Sequence, residues 1–225
     1  MLAMRQILLG PRGAAPVPLP YDYEVEYIQR DYGIAWNTTT DSNNGFSMLQ
    51  YMPSGGPSTW DFSYECDMCG EVYGTVSAGN VGWAFLCTSG FLGFYGFKVD
   101  GPTETYVMQG GLGNNVTTGI PASLPSYHGM KVSWANGIGT YYADDVQVGT
   151  TTSTSTTFPT VCKILAQTSA ATVTYPIRVR VSSFKLGNMI DLIPVVKGNQ
   201  CGFYNKVDGE LFLTDQSCIS AGPRI

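Results

Sequence analysis

The chain has 225 residues, of which 13% are charged and 12% aromatic, with 27 glycines and a net charge of −5. So few charged residues argue against a solvated helical protein, and the 12 basic residues are dispersed, without the cluster that binding to phosphates requires. No stretch approaches the roughly 18 apolar residues that span a bilayer. We therefore predict no nucleic-acid partner and no membrane insertion.

Residues 1–20 differ from the rest of the chain. An apolar head that contains Ile7-Leu8-Leu9 precedes four prolines between positions 11 and 20, and such a segment cannot form a helix or a central strand. The segment is either a disordered tail or an extended arm that docks onto a neighbouring subunit, and the apolar head favours the arm. Because the head is too short for a secretory signal, we expect synthesis in a cytoplasm without export.

From residue 21 onward, strand and turn patterns follow one another. Segment 23–29 alternates with period two, as a half-buried strand does, and further strands are predicted at 59–65, 82–88, 91–99, 104–108, 130–135, 140–143, 162–166 and 177–185. Asn136-Gly137 between two alternating runs predicts a tight hairpin. No helical pattern exceeds about two turns. Closely spaced strands predict an all-β domain of two packed sheets over residues 21–225.

The six cysteines include Cys66 and Cys69, whose spacing is found in zinc and redox motifs. A zinc site needs four ligands, and no second cysteine or histidine pair follows. A redox motif belongs at the start of a helix, whereas these cysteines lie in a strand-like segment. The sequence favours buried or loosely paired thiols. Cys201 and Cys218 flank the last hairpin, but a reducing cytoplasm makes a disulfide between them the less favoured alternative.

Candidates for catalysis are few. His128 lacks a nucleophilic serine in a strained turn and is best interpreted as a hydrogen-bonded edge residue. Glycoside hydrolysis needs two facing carboxylates, and the nearest pair is Glu24 and Glu26 at the start of the domain; Asp61 and Glu65 share another strand. The sequence therefore predicts no catalytic residues and no enzyme.

Metal and phosphate sites are also weakly indicated. The glycine-rich segment 110–115 does not lead into a helix that could hold an anion, so it is predicted to be a flexible loop. Oxygen ligands for calcium could come from loop residues, but no spacing selects them over ordinary turn residues. These residues are Asp41, Asn43, Asn44, Asp144 and Asp145. We predict no cofactor and no metal.

Aromatic rings are abundant enough to offer stacking surfaces for sugars. Core packing is favoured for each ring alone, whereas the set is compatible with contact to a glycan or a protein. The rings are Trp36, Trp60, Trp83, Trp134, Tyr95, Tyr141 and Tyr142.

The last part of the chain carries a recognisable run. A strand that contains Ser183-Phe184-Lys185 is followed by Asp191-Leu192-Ile193-Pro194-Val195 and then by a hairpin with Asp208-Gly209 at its tip, within 204–212. This run resembles the end of many concanavalin A-like (laminin-G-like) jelly-roll domains of bacteriophage and gut-bacterial surface proteins. The resemblance is firm over 162–215 and extends to the strand at 23–28, although segment 32–38 departs from the family pattern.

The resemblance implies an antiparallel two-sheet jelly-roll sandwich used for binding or decoration. Together with the N-terminal arm, it predicts a bacteriophage virion protein, either a tail, a fibre or a capsid-decorating component. The arm would bind other virion proteins, the protein would form a homo-oligomer, and the sandwich would contact a host surface glycan during attachment. The alternatives are a bacterial carbohydrate-binding module, a jelly-roll glycoside hydrolase or lyase, and a purely structural role. The ligand-binding residues stay unknown at this stage.

Overall fold

The computed structural model describes residues 18–34, 45–78, 80–88, 94–111, 114–166 and 175–225. Within these ranges the chain forms β-strands, turns and two single-turn 3-10 helices, Leu49–Tyr51 and Pro57–Thr59, and no α-helix. The predicted all-β class is confirmed. Residues 1–17 of the predicted arm lie outside the described residues, so the arm stays a prediction. No described helix has the length and hydropathy to cross a bilayer.

The described ranges contain seventeen strands, numbered here in chain order. They are β1 (Tyr23–Glu24), β2 (Ile28–Asp31), β3 (Phe46–Ser47), β4 (Phe62–Val72), β5 (Val81–Thr88), β6 (Phe94–Asp100), β7 (Thr105–Gly110), β8 (Asn115–Pro121), β9 (His128–Ala135), β10 (Ile138–Ala143), β11 (Val146–Thr152), β12 (Val161–Ile164), β13 (Ile177–Leu186), β14 (Ile190–Lys197), β15 (Gln200–Asn205), β16 (Leu211–Thr214) and β17 (Ile219–Ala221).

The strands form two antiparallel sheets. The larger sheet has the order β11-β10-β9-β4-β13-β14-β15-β16, and the smaller has the order β3-β12-β5-β6-β7-β8. Strands β13 and β14 pair only near their connecting turn and then diverge. Their free halves pair with β2 and β1, and β17 adds to β2, so both ends of the described chain lie in this fork. The chain is an antiparallel two-sheet sandwich of the jelly-roll type.

The core lies between the sheets and is rich in aromatic rings. Trp60, Tyr95 and Trp134 contact one another edge to face, with ring centroids 5.7 Å apart in each pair. Edge-to-face contacts between aromatic rings add about 0.5–1.5 kcal/mol per pair to the effect of burial. Phe85 packs against Phe184 at 4.8 Å and thereby joins the two sheets. The period-two patterns of strands such as β9 and β13 are thus explained by one buried side on each.

The hairpin predicted at Asn136-Gly137 is confirmed. Both residues have positive φ, 51° and 75°, and they connect β9 to β10 with Ala135 opposite Ile138. Positive φ at both central positions defines the turn that matches the right-handed twist of paired strands, and Asn and Gly tolerate it best.

Two segments differ from the sequence-based expectation. Strand β8 occupies 115–121, where no strand is predicted. Strand β11 extends to Thr152 into the Thr/Ser-rich stretch. Threonine is β-branched and fits a strand well when a partner strand is present, which local composition cannot show. Strand β14 continues through Pro194, whose carbonyl accepts a hydrogen bond from the Val25 amide.

All six cysteines are described, and all are free thiols. Cys66 and Cys69 lie in the middle of β4 and are buried, as the strand-like pattern predicts. Burial raises the pKa of both thiols, to about 11 for Cys69. Among the described residues no group of three or more His, Cys, Asp or Glu side chains is placed to hold a metal ion.

Candidate functional site

The outward sides of the two sheets are covered to different extents. On β5 of the smaller sheet all residues from 82 to 88 are buried, so both sides of this strand are covered. On β4 of the larger sheet burial alternates from Tyr64 to Met68, with Tyr64, Cys66 and Met68 buried in the core and Asp67 exposed. The outward side of the larger sheet is therefore open to solvent, and a ligand can reach its side chains.

Side chains at the centre of this open side form a polar surface, here called the polar face. Its members are Glu65, Asp67 and Glu71 of β4, Arg178, Arg180, Ser182, Ser183 and Lys185 of β13, Gln29 and Asp31 of β2, Lys131 of β9, and the adjoining Tyr27, Tyr73 and Tyr127. Paired strands lie about 4.8 Å apart, so the sheet fixes the spacing of these groups.

The first row of the polar face is an ion-pair bridge across three strands. Glu65 lies between Lys185, with its Nζ 3.0 Å from Oε1, and Lys131, with its Nζ 3.8 Å from Oε2. These side chains are between 39% and 50% exposed, and exposed pairs contribute only about 0–1 kcal/mol to stability. Their effect is to hold the Glu65 carboxylate in one position.

The second row depends on a β-bulge. The register between β4 and β13 shifts between Val181 and Ser183, so β13 has one extra residue here. The bulge brings two hydroxyls to one place, as bulges often do beside functional sites. The Ser183 hydroxyl donates to the Asp67 carboxylate at 2.7 Å, and the Ser182 hydroxyl donates to the Asp67 carbonyl at 3.3 Å.

The third row surrounds Arg180. Its Nε donates to the Gln29 side-chain oxygen at 2.8 Å, and its guanidinium carbon lies 4.3 Å from the centre of the Tyr27 ring. On the other side, the hydroxyl of Tyr127 is hydrogen-bonded to the buried Cys69 thiol. Tyr127 is 37% exposed and contributes an aromatic ring to the rim of the polar face.

The fourth row is a closed charge network. Arg178 donates from Nε to Asp31 at 2.9 Å and from Nη1 to Glu71 at 3.1 Å, and its guanidinium stacks on Tyr73. Partial burial by itself raises the pKa of Asp31, but hydrogen bonds from Tyr73 and Arg178 outweigh burial, and the net pKa is lowered. Arg178 is thus neutralised by protein carboxylates.

His128 is hydrogen-bonded, in agreement with the sequence-based interpretation. Its Nδ1 lies 2.7 Å from an Asp144 carboxylate oxygen, whose partner oxygen accepts from the Gly129 amide at 2.9 Å. Burial alone raises the pKa of Asp144, but these two hydrogen bonds lower it on balance. This arrangement fixes the turn after β10 to the start of β9.

The recognisable C-terminal run has a structural role. Asn205, at the end of β15, is completely buried. Its Oδ1 accepts from the amides of Asp191 and Val207 at 3.0 and 3.2 Å, and its Nδ2 donates to the carbonyl of Met189 at 3.2 Å. At the hairpin tip the Tyr51 hydroxyl donates to Asp208. Asn205 therefore connects the turn between β13 and β14 to the turn between β15 and β16, and this part of the run, from Met189 to Asp208, lies off the polar face.

The aromatic residues considered for sugar stacking are mostly in the core. Trp60, Trp83, Trp134, Tyr95 and Tyr141 are all 3% exposed or less. Tyr142 is half-buried, and Trp36 lies outside the described residues. The rings that do reach the polar face are the tyrosines at 27, 73 and 127, which lie in turns or at strand ends where alternation gives no signal.

The remaining candidates are dispersed. Glu24 lies in β1, and Glu26 follows it in the connection to β2, away from the centre of the larger sheet. The glycine-rich segment joins β7 to β8, so no helix N-terminus follows it. Asp144 and Asp145 both have positive φ in the turn between β10 and β11. The other proposed calcium ligands, residues 41, 43 and 44, lie outside the described residues.

The fold and the polar face define an antiparallel jelly-roll sandwich with an open, charged sheet surface. No protein-family profile matches the chain, and no curated protein is similar to it. Solved structures similar to it include jelly-roll sandwich proteins. The chain is 13% identical to a Trypanosoma rangeli sialidase in complex with sialic acid (TM-score 0.40, 56% of this chain and 20% of that one), so it spans about a fifth of the sialidase. It is 14% identical to the carbohydrate-binding module CBM66 from Bacillus subtilis (TM-score 0.34, 73% and 98%) and 18% identical to a Bacillus licheniformis β-glucanase (TM-score 0.38, 74% and 94%).

These comparisons contradict the prediction that the chain is not an enzyme, because the similar structures include a sialidase, a β-glucanase and a Crh5 transglycosylase. At such low identity they indicate a shared fold and transfer no activity. The carboxylates considered from the sequence were Glu24 and Glu26, with Asp61 and Glu65 on another strand. In the structure, Glu65 and Asp67 lie two residues apart on the open side of the central strand β4. The sequence offered a signal for them, since Tyr64-Glu65-Cys66-Asp67 alternates.

Proposed function

We propose that the protein binds carbohydrate across the polar face of the larger sheet. The carrying observation is that hydrogen-bonding side chains on neighbouring strands are already fixed before a ligand arrives. Asp67, for example, is exposed, and the Ser183 hydroxyl holds its carboxylate while the Ser182 hydroxyl holds its backbone carbonyl. Groups that are fixed in advance lose little entropy on binding.

The composition of the face fits a sugar ligand. Carboxylates and hydroxyls accept and donate hydrogen bonds to sugar hydroxyls, and Tyr73 and Tyr127, which are 43% and 37% exposed, offer rigid rings. Tyrosine supplies a large contact area at a low entropic cost. The face is open, so it suits a glycan chain that lies across the strands better than a small enclosed molecule.

The test is a glycan array with the purified protein, followed by calorimetric titration of the best ligand. Asp67→Asn and Tyr127→Ala each remove a contact on the face and should weaken binding about tenfold. Thr117→Ala changes an exposed residue of β8 in the smaller sheet and should leave binding unchanged. Binding that survives both substitutions on the polar face, or is equally lost in the control, would place the site elsewhere.

A second candidate function is cleavage of a glycosidic bond. It is favoured by Glu65 and Asp67, two carboxyl groups on one side of β4 in different surroundings, one between two ammonium groups and the other beside a serine hydroxyl. Glycosidases need two such groups with separate roles. Release of reducing ends from a polysaccharide panel, abolished by Glu65→Gln or Asp67→Asn, would establish cleavage; binding without release leaves only the first function.

The bacteriophage setting is a further proposal. It is supported by the resemblance of the C-terminal run and by the apolar, proline-rich residues 1–20, and it assigns the protein to a tail, fibre or capsid surface with its polar face towards a host glycan. Size-exclusion chromatography with light scattering, on the protein with and without residues 1–20, tests the arm. Loss of an oligomer on deletion supports docking to neighbouring subunits, and a monomer in both forms counts against it.

A further inference from the structure

The cations of the polar face differ in whether a carboxylate neutralises them. Lys131 and Lys185 contact Glu65, and Arg178 is bridged by Asp31 and Glu71. Arg180 forms no ion pair with any carboxylate of the described residues. Its hydrogen bond goes to the neutral Gln29 side chain, through Nε alone, so its two terminal nitrogens can donate to a ligand.

The surroundings hold this guanidinium in place without neutralising it. Tyr27 lies against its plane at 4.3 Å. The Tyr27 ring is itself fixed by Gly222, because a Cβ at that position would lie 2.7 to 2.8 Å from the ring atoms. Stacking on an aromatic face and a single hydrogen bond orient an arginine while leaving its planar pair of donors available. Such a pair matches the two oxygens of a carboxylate.

From this geometry we infer that the ligand carries a carboxylate which Arg180 binds, so that the protein recognises a carboxylated sugar such as a uronic acid. This inference rests on the carbohydrate-binding function proposed above. Asp67 lies on β4 one row away from Arg180, at a diagonal position in the register, where side chains are roughly 7–8 Å apart. One sugar residue can place its carboxylate on Arg180 and donate a hydroxyl to Asp67.

The charge balance of the face favours a carboxylated sugar over a densely sulfated polymer. The face holds four cations and four carboxylates: Lys131, Lys185, Arg178 and Arg180, and Glu65, Asp67, Glu71 and Asp31. A surface without net charge gives no long-range attraction for a polyanion. Recognition must therefore come from the local contact at Arg180.

The experiment compares carboxylated polymers with neutral ones and includes one pair that differs only in the charge of the carboxylate. The full chain is titrated with polygalacturonate, hyaluronan and polysialic acid, and with fully methyl-esterified polygalacturonate, which has the same backbone without the charge. We expect at least one carboxylated polymer to bind at least tenfold more tightly than neutral glycans, and an ester to lose this advantage. Arg180→Gln should lower that affinity at least tenfold, and Arg180→Lys should retain part of it, because a charged hydrogen-bonded pair is replaced by a point charge.

A matched control removes a cation elsewhere. Lys197→Gln, at the exposed end of β14, should leave the affinity unchanged, and thermal melting of each variant checks that it is folded. Binding of neutral glycans only, or carboxylated ligands bound equally by the Arg180→Gln variant, overturns this inference and leaves the proposed function intact. Dextran sulfate bound as tightly through Arg180 also overturns it. Failure to bind any glycan refutes the proposed function itself.

Discussion

Replacement of Asn205 by alanine tests whether the C-terminal run is a structural connector. The side chain is completely buried and makes three hydrogen bonds, two accepted from the amides of Asp191 and Val207 and one donated to the Met189 carbonyl. The substitution leaves three backbone groups without this partner. A buried group that loses its partner costs about 1–3 kcal/mol, and water can reach some of these positions, so we expect a loss of about 3 kcal/mol.

The assay is urea unfolding followed by tryptophan fluorescence, which is suited to the buried core tryptophans. For a chain of this size a loss of about 3 kcal/mol corresponds to a decrease in Tm of roughly 6–12 °C. Asn188→Ala, which removes an exposed asparagine from the turn between β13 and β14, is the matched control and should change the free energy of unfolding by less than about 0.5 kcal/mol. If Asn205→Ala costs less than about 1 kcal/mol, the connecting role is wrong.

Three other predictions concern titratable groups. Lys98 is 7% exposed, and burial lowers its pKa from 10.5. Between the lowered pKa and 10.5 the unfolded chain binds more protons than the folded chain, so the free energy of unfolding should rise with pH. Unfolding measured from pH 7 to 10.5 should show this rise, and Lys98→Met should abolish it. The pKa of Asp31 is lowered in the folded state, so Asp31→Asn should destabilise the protein at pH 7. In acid-unfolding curves the difference in free energy of unfolding between the variant and the unchanged protein should shrink as the pH falls below 3.8. A constant difference would refute the ion-pair account. Burial raises the pKa of Cys69 and Cys201 to about 11, so these thiols should resist iodoacetamide in the native protein at pH 8. Mass spectrometry should detect modification of the less buried Cys201 first, and of all six thiols in urea. Rapid modification of Cys69 in the native protein would contradict its buried position.

The strand pattern was largely predictable because one buried side imposes period two. The strands at 130–135 and 177–185 were predicted correctly for this reason. Asn136-Gly137 identified its turn because few other residue pairs adopt positive φ at both central positions. Strands β8 and β11 were missed because their glycine- and threonine-rich sequences become strands only beside a partner. Local sequence does not reveal that partner.

The arrangement of the polar face was harder to predict from the sequence than the strands. Arg178 and Arg180 alternate in a recognisable strand, so two outward cations could have been noted. Which of them is neutralised depends on the register with β2 and β4, and on the bulge before Ser183, and neither follows from local pattern. The approach of Tyr27 and Tyr127 to Arg180 from segments a hundred residues apart is likewise a product of the fold.

The fork between β13 and β14 has a consequence for the order of folding. Strand β2, near the beginning of the described chain, takes β13 on one side and β17 on the other, and Val25 pairs with Arg224. During synthesis β2 leaves the ribosome long before either partner exists, and its backbone groups stay unmatched on one side until β13 is made and on the other until β17 is made. Closing so long a loop is slow. The nascent sandwich therefore carries an unpaired strand for most of its synthesis, and this is the stage at which the protein is most exposed to aggregation and to chaperones.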